Sequence, residues 1–197
     1  MINLENWGVA LPDGKLHYPG FYTIDLYQQK YGLVMRTRCD AQTTKNSNYP
    51  RCELREMTNG KKACWDSSLG THKFTGVFTV SRFTYIKPEV CVFQIHDGSD
   101  DVLQIIVSPD WVKYRYNNVK VVLGAYHADE KFRIKCKVLG DHVYLKYNFS
   151  HYICLPLKSK TLYFKAGNYL QSNAEIEESP DEYSQVLLHK ANVKHFI

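Results

Sequence analysis

The chain has 197 residues, 44% hydrophobic and 23% charged, which fits one domain with a core large enough to stand without metal or disulfide staples. Its net charge of +5 is spread along the chain with no basic block or tail, which argues against a nucleic-acid partner and suits a polyanionic glycan. No apolar run approaches the roughly 20 residues of a membrane-spanning helix, and residues 1–11, carrying Asn3 and Glu5, do not read as a signal peptide.

Along the chain the hydrophobic pattern has period two nearly throughout. A short helical piece is expected at residues 20–29 and another at 172–178. Strands are expected at 74–85, 90–96, 102–107, 112–116, 119–123, 132–139, 143–147, 161–165 and 186–195. Turn signals separate them, among them Asp97-Gly98, Asn117-Asn118 and Gly140-Asp141. Short strands at this spacing predict an all-β sandwich or barrel. The 15 tyrosines suit half-wet, sugar-binding surfaces, and equally suit strands in general.

Three segments gather reactive polar groups on one strand face. In Arg51-Cys52-Glu53-Leu54-Arg55, Arg51, Glu53 and Arg55 point the same way. That face is either a surface ion-pair ladder of little energetic value or a rigid guanidinium pair able to grip a carboxylate. In Phe93-Gln94-Ile95-His96, Gln94 offers an amide and His96 a base poised near neutral pH, while Phe93 and Ile95 face the core. In the run from Tyr163 to Gln171, a regular strand lines up Tyr163, Lys165, Tyr169 and Gln171, and Gly167 marks a bulge or a close approach. Lys131, Arg133, Lys135 and Lys137 alternate as a basic stripe and read as a solvated face.

The six cysteines divide by setting. Cys136 lies on an apolar strand face, Cys91 is read as sharing a face with Phe93 and Ile95, and Cys52 lies opposite Arg51 and Glu53. These are small core residues. Cys39 and Cys64 sit in polar surroundings, bridged or free. With no CxxC pair, no structural zinc is expected. There is also no phosphate-cradling glycine loop, GxSxG elbow, HExxH or EF-hand pattern. Glycoside hydrolysis needs two placed carboxylates, and the acidic residues lie mostly in turns and in the 175–182 stretch.

Taken together, the three polar segments resemble the motif set of the family 7 polysaccharide lyases, the alginate lyases: an RxELR strand, a Q-[IV]-H strand and a YFKAGxYxQ strand. Here they read Arg51-Cys52-Glu53-Leu54-Arg55, Gln94-Ile95-His96, and Tyr163-Phe164-Lys165-Ala166-Gly167-Asn168-Tyr169-Leu170-Gln171. The opening Asn3–Pro12 and the ending Gln185–His195 are similar to the family's first and last strands. The likeness therefore covers nearly the whole chain. Cysteine at the x of RxELR is a departure that falls on the core face.

The resemblance implies one β-jelly-roll domain over residues 1–197, built from two curved antiparallel sheets with a concave groove for a linear polyuronate. It implies β-elimination without a metal or organic cofactor, by a monomer acting on extracellular or cell-wall polysaccharide. By the same resemblance, Arg51 and Gln94 offset the uronate carboxylate, while His96 and Tyr169 form an acid/base pair whose roles depend on the sugar. Arg55, Lys165 and Gln171 are substrate contacts at neighbouring subsites, and Glu53 orients the two arginines. Lys113 and Arg115 either extend the basic groove or are solvated surface. A glucuronan-type lyase is the alternative within the same reaction class. A non-catalytic carbohydrate-binding module is the alternative outside it.

Overall fold

The structure is a computed structural model and describes residues 2–18, 20–177 and 179–197. The first half of the chain forms β1 (Trp7–Ala10), β2 (Leu16–His17), β3 (Leu26–Gln29), β4 (Gly32–Arg38), β5 (Arg51–Thr58), β6 (Lys61–Lys62), β7 (Thr71–Arg82) and β8 (Val90–His96). The second half forms β9 (Asp101–Val107), β10 (Trp111–Tyr116), β11 (Val119–Ala125), β12 (Phe132–Leu139), β13 (His142–Tyr147), β14 (Ile153–Pro156), β15 (Tyr163–Leu170) and β16 (Tyr183–Phe196).

These strands make two antiparallel sheets. The front sheet runs β11-β10-β9-β8-β15-β5-β1-β2, with β6 on β5, and the back sheet runs β14-β13-β12-β7-β16-β4-β3. This is the all-β jelly-roll sandwich expected from the sequence. Alternation of side chains across each strand sends one set of residues between the sheets and the other outward. Phe74 of the back sheet stacks on Phe93 of the front at 4.3 Å, and Phe164 joins them at 5.8 Å. Each is buried, and burial of such a side chain contributes about 1.5–3 kcal/mol. The hairpin turns are chemically apt: Asn117 and Asn118, then Gly140 and Asp141, all adopt positive φ, as tight two-residue hairpins require.

Both expected helical pieces are absent. Residues 20–25 form turns closed by Thr23, whose hydroxyl accepts from the N–H groups of Asp25 and Leu26, and Leu26–Gln29 pairs with β4 as an edge strand. Pairing with a neighbour outweighs the local helical pattern there. Residues 172–177 form a turn held by Glu177, which accepts from Ser172, Ile86 and Lys87; Glu178 lies outside the described residues. The strand expected at 74–85 starts at Thr71 and stops at Arg82, and that expected at 161–165 runs Tyr163–Leu170.

All six cysteines are free thiols; Cys64 and Cys154 are exposed and the others buried. Cys91 is not on the face of Phe93 and Ile95. An extra residue in β8 relative to β9, between Cys91 and Phe93, sends Val92 and Phe93 both into the core. Cys91 is thereby turned outward, opposite Tyr169 of β15. Such a bulge re-aims side chains next to a site.

Candidate active site

Three adjacent central strands, β8, β15 and β5, carry the three polar segments side by side. Lys165 pairs with Gln94 on one flank and with Arg55 on the other, and Tyr169 pairs with Arg51. A cleft of about 380 Å³ lies on this outer face, lined by Arg51, Arg55, Gln94, His96, Lys165 and Tyr169. Thr44 and Asn46 form one wall and the Gly98–Asp101 turn another.

Glu53 is the hub. It is fully buried, and its carboxylate accepts from Lys165 Nζ at 2.5 Å, Gln94 Nε2 at 2.5 Å and Arg51 Nη1 at 3.2 Å. Burial alone would raise its pKa, but Lys165 and Arg51 outweigh that and hold the carboxyl below its usual range. Burial lowers the pKa of Lys165, against the opposing pull of Glu53. The face is therefore not an exposed ion-pair ladder. It is a desolvated cluster, in which breaking a pair costs far more than at a surface.

Arg51 is held on three sides. Its Nη2 donates to Ser47 Oγ at 2.9 Å, and its guanidinium lies over the Tyr169 ring at 3.9 Å. Its Nε is buried without a partner among the described residues. Tyr169 Oη shares a hydrogen bond with Ser47 Oγ at 3.1 Å. Burial raises the Tyr169 pKa, more than the neighbouring Arg51 lowers it. The phenol thus keeps its proton through neutral pH.

His96 points its Nδ1 at the carbonyl of Asp97, 2.6 Å away, and stacks on Tyr163 at 5.1 Å. Burial lowers its pKa, so the ring is neutral at neutral pH. Donation from Nδ1 leaves Nε2 as the free acceptor in that form.

Gly167 and Asn168 place Tyr169. In β15 the register against β8 shifts between Ala166 and Tyr169. Gly167 has φ +148, and a Cβ there would meet Met35 Cε at 2.6 Å and the Cys52 carbonyl at 2.8 Å. Close approach of β5 and the back sheet therefore requires glycine. Asn168 turns inward and donates to the carbonyls of Met35 and Ser184, each at 3.0 Å. The strand carrying Tyr169 is thereby tied to both β4 and β16.

Not every expected site residue joins the cleft. Gln171 is buried and donates to the carbonyls of Tyr169 and Leu170, so it braces the strand end. Lys113 and Arg115 sit on β10, two strands beyond β8, where Lys113 shares Glu89 with Lys120 and Arg115 pairs with Asp101. Arg55 is in the cleft, with its guanidinium 3.8 Å over the Tyr163 ring. Sequence reasoning left out Ser47, which comes from a loop with no motif, and Gln104, whose Nε2 donates to Gln94 Oε1 at 3.2 Å. The alternation of β9 was the signal available for Gln104.

A sandwich that carries such a cluster on an open sheet face has the form of a polysaccharide lyase, and the comparisons agree. The alginate lyase family model matches residues 2–195. The alginate lyase AlgAT5 from polysaccharide lyase family 7 is 29% identical and superposes with a TM-score of 0.95, covering 100% of this chain and 97% of that one. An alginate lyase from Corynebacterium sp. is 30% identical with a TM-score of 0.92, covering 99% and 96%. Alginate lyase PA1167 from Pseudomonas aeruginosa, 17% identical, shares the fold at a TM-score of 0.90, covering 98% and 100%. Comparison with curated proteins gives no match. The chain belongs to the alginate lyase family.

Proposed function

We propose that the protein cleaves alginate within the chain by β-elimination, with His96 as base and Tyr169 as acid. The observation that carries the assignment is the opposite displacement of two titratable groups lining one cleft: His96 is pushed toward its neutral form and Tyr169 toward its protonated form. Environments that push two groups of one cleft apart in this way support that division of roles.

The reaction removes the C5 proton of a uronate, forms a C4–C5 double bond and breaks the C4–O bond to the departing sugar. His96 Nε2 takes the C5 proton, and Tyr169 Oη gives its proton to the leaving oxygen. The obstacle is the uronate carboxylate, whose negative charge opposes loss of a neighbouring proton. Arg51 and Lys165 carry two positive charges against one negative on Glu53, leaving one net positive charge for the substrate's carboxylate. The guanidinium of Arg51 and the amide of Gln94, both lining the cleft, are the donors for it. Preorganised donors of this kind stabilise charge that develops in the transition state. Arg55 contacts a neighbouring sugar. As a polyuronate lyase the protein acts on extracellular or cell-wall polysaccharide, secreted or released to reach it.

The test is kinetic. His96→Ala and Tyr169→Phe each lower kcat by about 10²–10⁴-fold, the usual size of acid–base assistance, with circular dichroism unchanged. Near-wild-type turnover in either folded variant removes that residue from the mechanism. Arg51→Ala lowers kcat as well as raising KM; a change in KM alone makes Arg51 a docking residue.

A further inference from the structure

The basic stripe read from the sequence as solvated surface extends well beyond one strand. On the outer face of the back sheet, register aligns Lys194 of β16, Lys73 of β7 and Lys137 of β12 directly across three neighbouring strands. In the next row Lys135 of β12 faces Lys146 of β13. In the row beyond, Lys190 and Arg133 flank Val77. Asn192 and Thr75 fill the remaining places of these rows on β16 and β7, so no carboxylate interrupts the rows. None of these cations has a carboxylate within 4 Å among the described residues.

Like charges directly opposite on neighbouring strands are destabilising, so this face carries a cost the fold does not need. On the front sheet Arg51, Lys113, Arg115, Lys120 and Lys165 have acidic partners, and the cations without one there, Arg55, Lys61 and Lys62, are confined to β5 and β6. Aromatic rings accompany the back-face lysines. Lys73 lies over Phe196, Lys137 over Tyr144 and Lys146 over Tyr152, and Phe196 and Tyr152 are more than half exposed. Rings beside cations offer stacking faces for sugars as well as charge for carboxylates.

We propose that this face is a second, non-catalytic binding surface for an acidic polysaccharide, laid across β16, β7 and β12. Strands lie about 4.8 Å apart, so a chain crossing them meets the ammonium groups of Lys194, Lys73 and Lys137 in close succession. A polyuronate presents one carboxylate on every sugar, which is the complementary array. The choice of a glycan over another polyanion rests on the reading of the front groove as a polyuronate site. Holding the polymer on the back face would keep the enzyme on its substrate between cuts and raise the local concentration of chains.

The experiment compares wild type with the triple variant Lys73→Gln/Lys137→Gln/Lys194→Gln. A charge-matched control, Lys30→Gln/Lys158→Gln/Lys160→Gln, alters exposed lysines away from these rows. Retention is measured on immobilised polymeric alginate at low salt, and kcat/KM on a soluble alginate tetrasaccharide. The row variant is expected to lose at least about fivefold in retention, with the control within about twofold. Both should keep tetrasaccharide kcat/KM within about twofold of wild type, since screening and steering effects of net charge are then matched. Equal losses in the two variants, or none in either, overturn the proposal. So does tighter, row-dependent retention of wild type on immobilised duplex DNA than on alginate, which assigns the face to nucleic acid. Wild type inactive on the tetrasaccharide, yet retained on the polymer through the lysine row, would refute the lyase reading and leave the binding surface standing.

Discussion

Replacing Glu53 with glutamine removes the one negative charge beneath the cleft. The side chain is fully buried, Lys165 is 6% exposed and Arg51 8%, so both cations are left desolvated without their counter-ion. Removing one partner of a buried ion pair costs about 3–5 kcal/mol, which for a domain of this size, at about 2–4 °C per kcal/mol, lowers Tm by roughly 6–20 °C. Adding Lys165→Met to Glu53→Gln takes away one of the stranded charges and recovers a large part of that loss. The pH dependence has a definite sign. Glu53 has a folded pKa below its unfolded value, so its contribution is full above about pH 4.3 and disappears as the pH falls through the folded pKa. Thermal melts of wild type, Glu53→Gln and the double variant between pH 3 and 7 test this. A Glu53→Gln melt within about 2 °C of wild type at pH 7, a shift worth less than about 1 kcal/mol, refutes the view that the cluster is desolvated and interdependent.

Three further outcomes follow from the geometry. The profile of kcat/KM against pH should be flat through neutrality, with its acid limb below 6.5, because burial lowers the His96 pKa, and its alkaline limb above 10, because burial raises that of Tyr169. An acid limb above pH 7 contradicts the placement of His96 as a desolvated base. Gly167→Ala should destabilise by about 2 kcal/mol or more, since it combines a disfavoured φ with backbone contacts under 3.0 Å; a denaturant melt indistinguishable from wild type disproves the close approach. In the native protein a thiol reagent should modify Cys64 and Cys154 rapidly and the other cysteines only on unfolding, and fast labelling of Cys91 contradicts its burial under the cleft.

The alternation of apolar and polar residues gave the bounds of both β8 and β12, and in β12 it gave the faces too, because one face lies on the core and one outside. It failed where that contrast is missing. In β4 the run Leu33-Val34-Met35 is buried throughout, so no period shows. The short edge strand β3 exists through its pairing with β4, which a local pattern cannot report. Motif spacing brought Arg51, Gln94, His96, Lys165 and Tyr169 to one cleft, yet the two bulges that set their final directions were only half visible. Gly167 announced one; nothing about Val92 announced the other, and Cys91 was placed on the wrong face as a result. The alternation of Lys113 and Arg115 left a basic groove and a solvated surface equally open, and the carboxylates that pair with them, Glu89 and Asp101, come from other strands and loops. Ion pairing between segments distant in sequence is not written in any one of them.

The most direct measurement is ultraviolet absorbance of the purified protein mixed separately with polyguluronate, polymannuronate, glucuronan and pectate. Elimination leaves a C4–C5 double bond conjugated with the carboxylate, which absorbs where the intact sugar does not. The account predicts a rise with an alginate block, lost in Tyr169→Phe, with oligosaccharides of mixed length appearing early. A rise with glucuronan alone would contradict the assignment to alginate, and silence across all four with the folded protein would contradict the elimination itself.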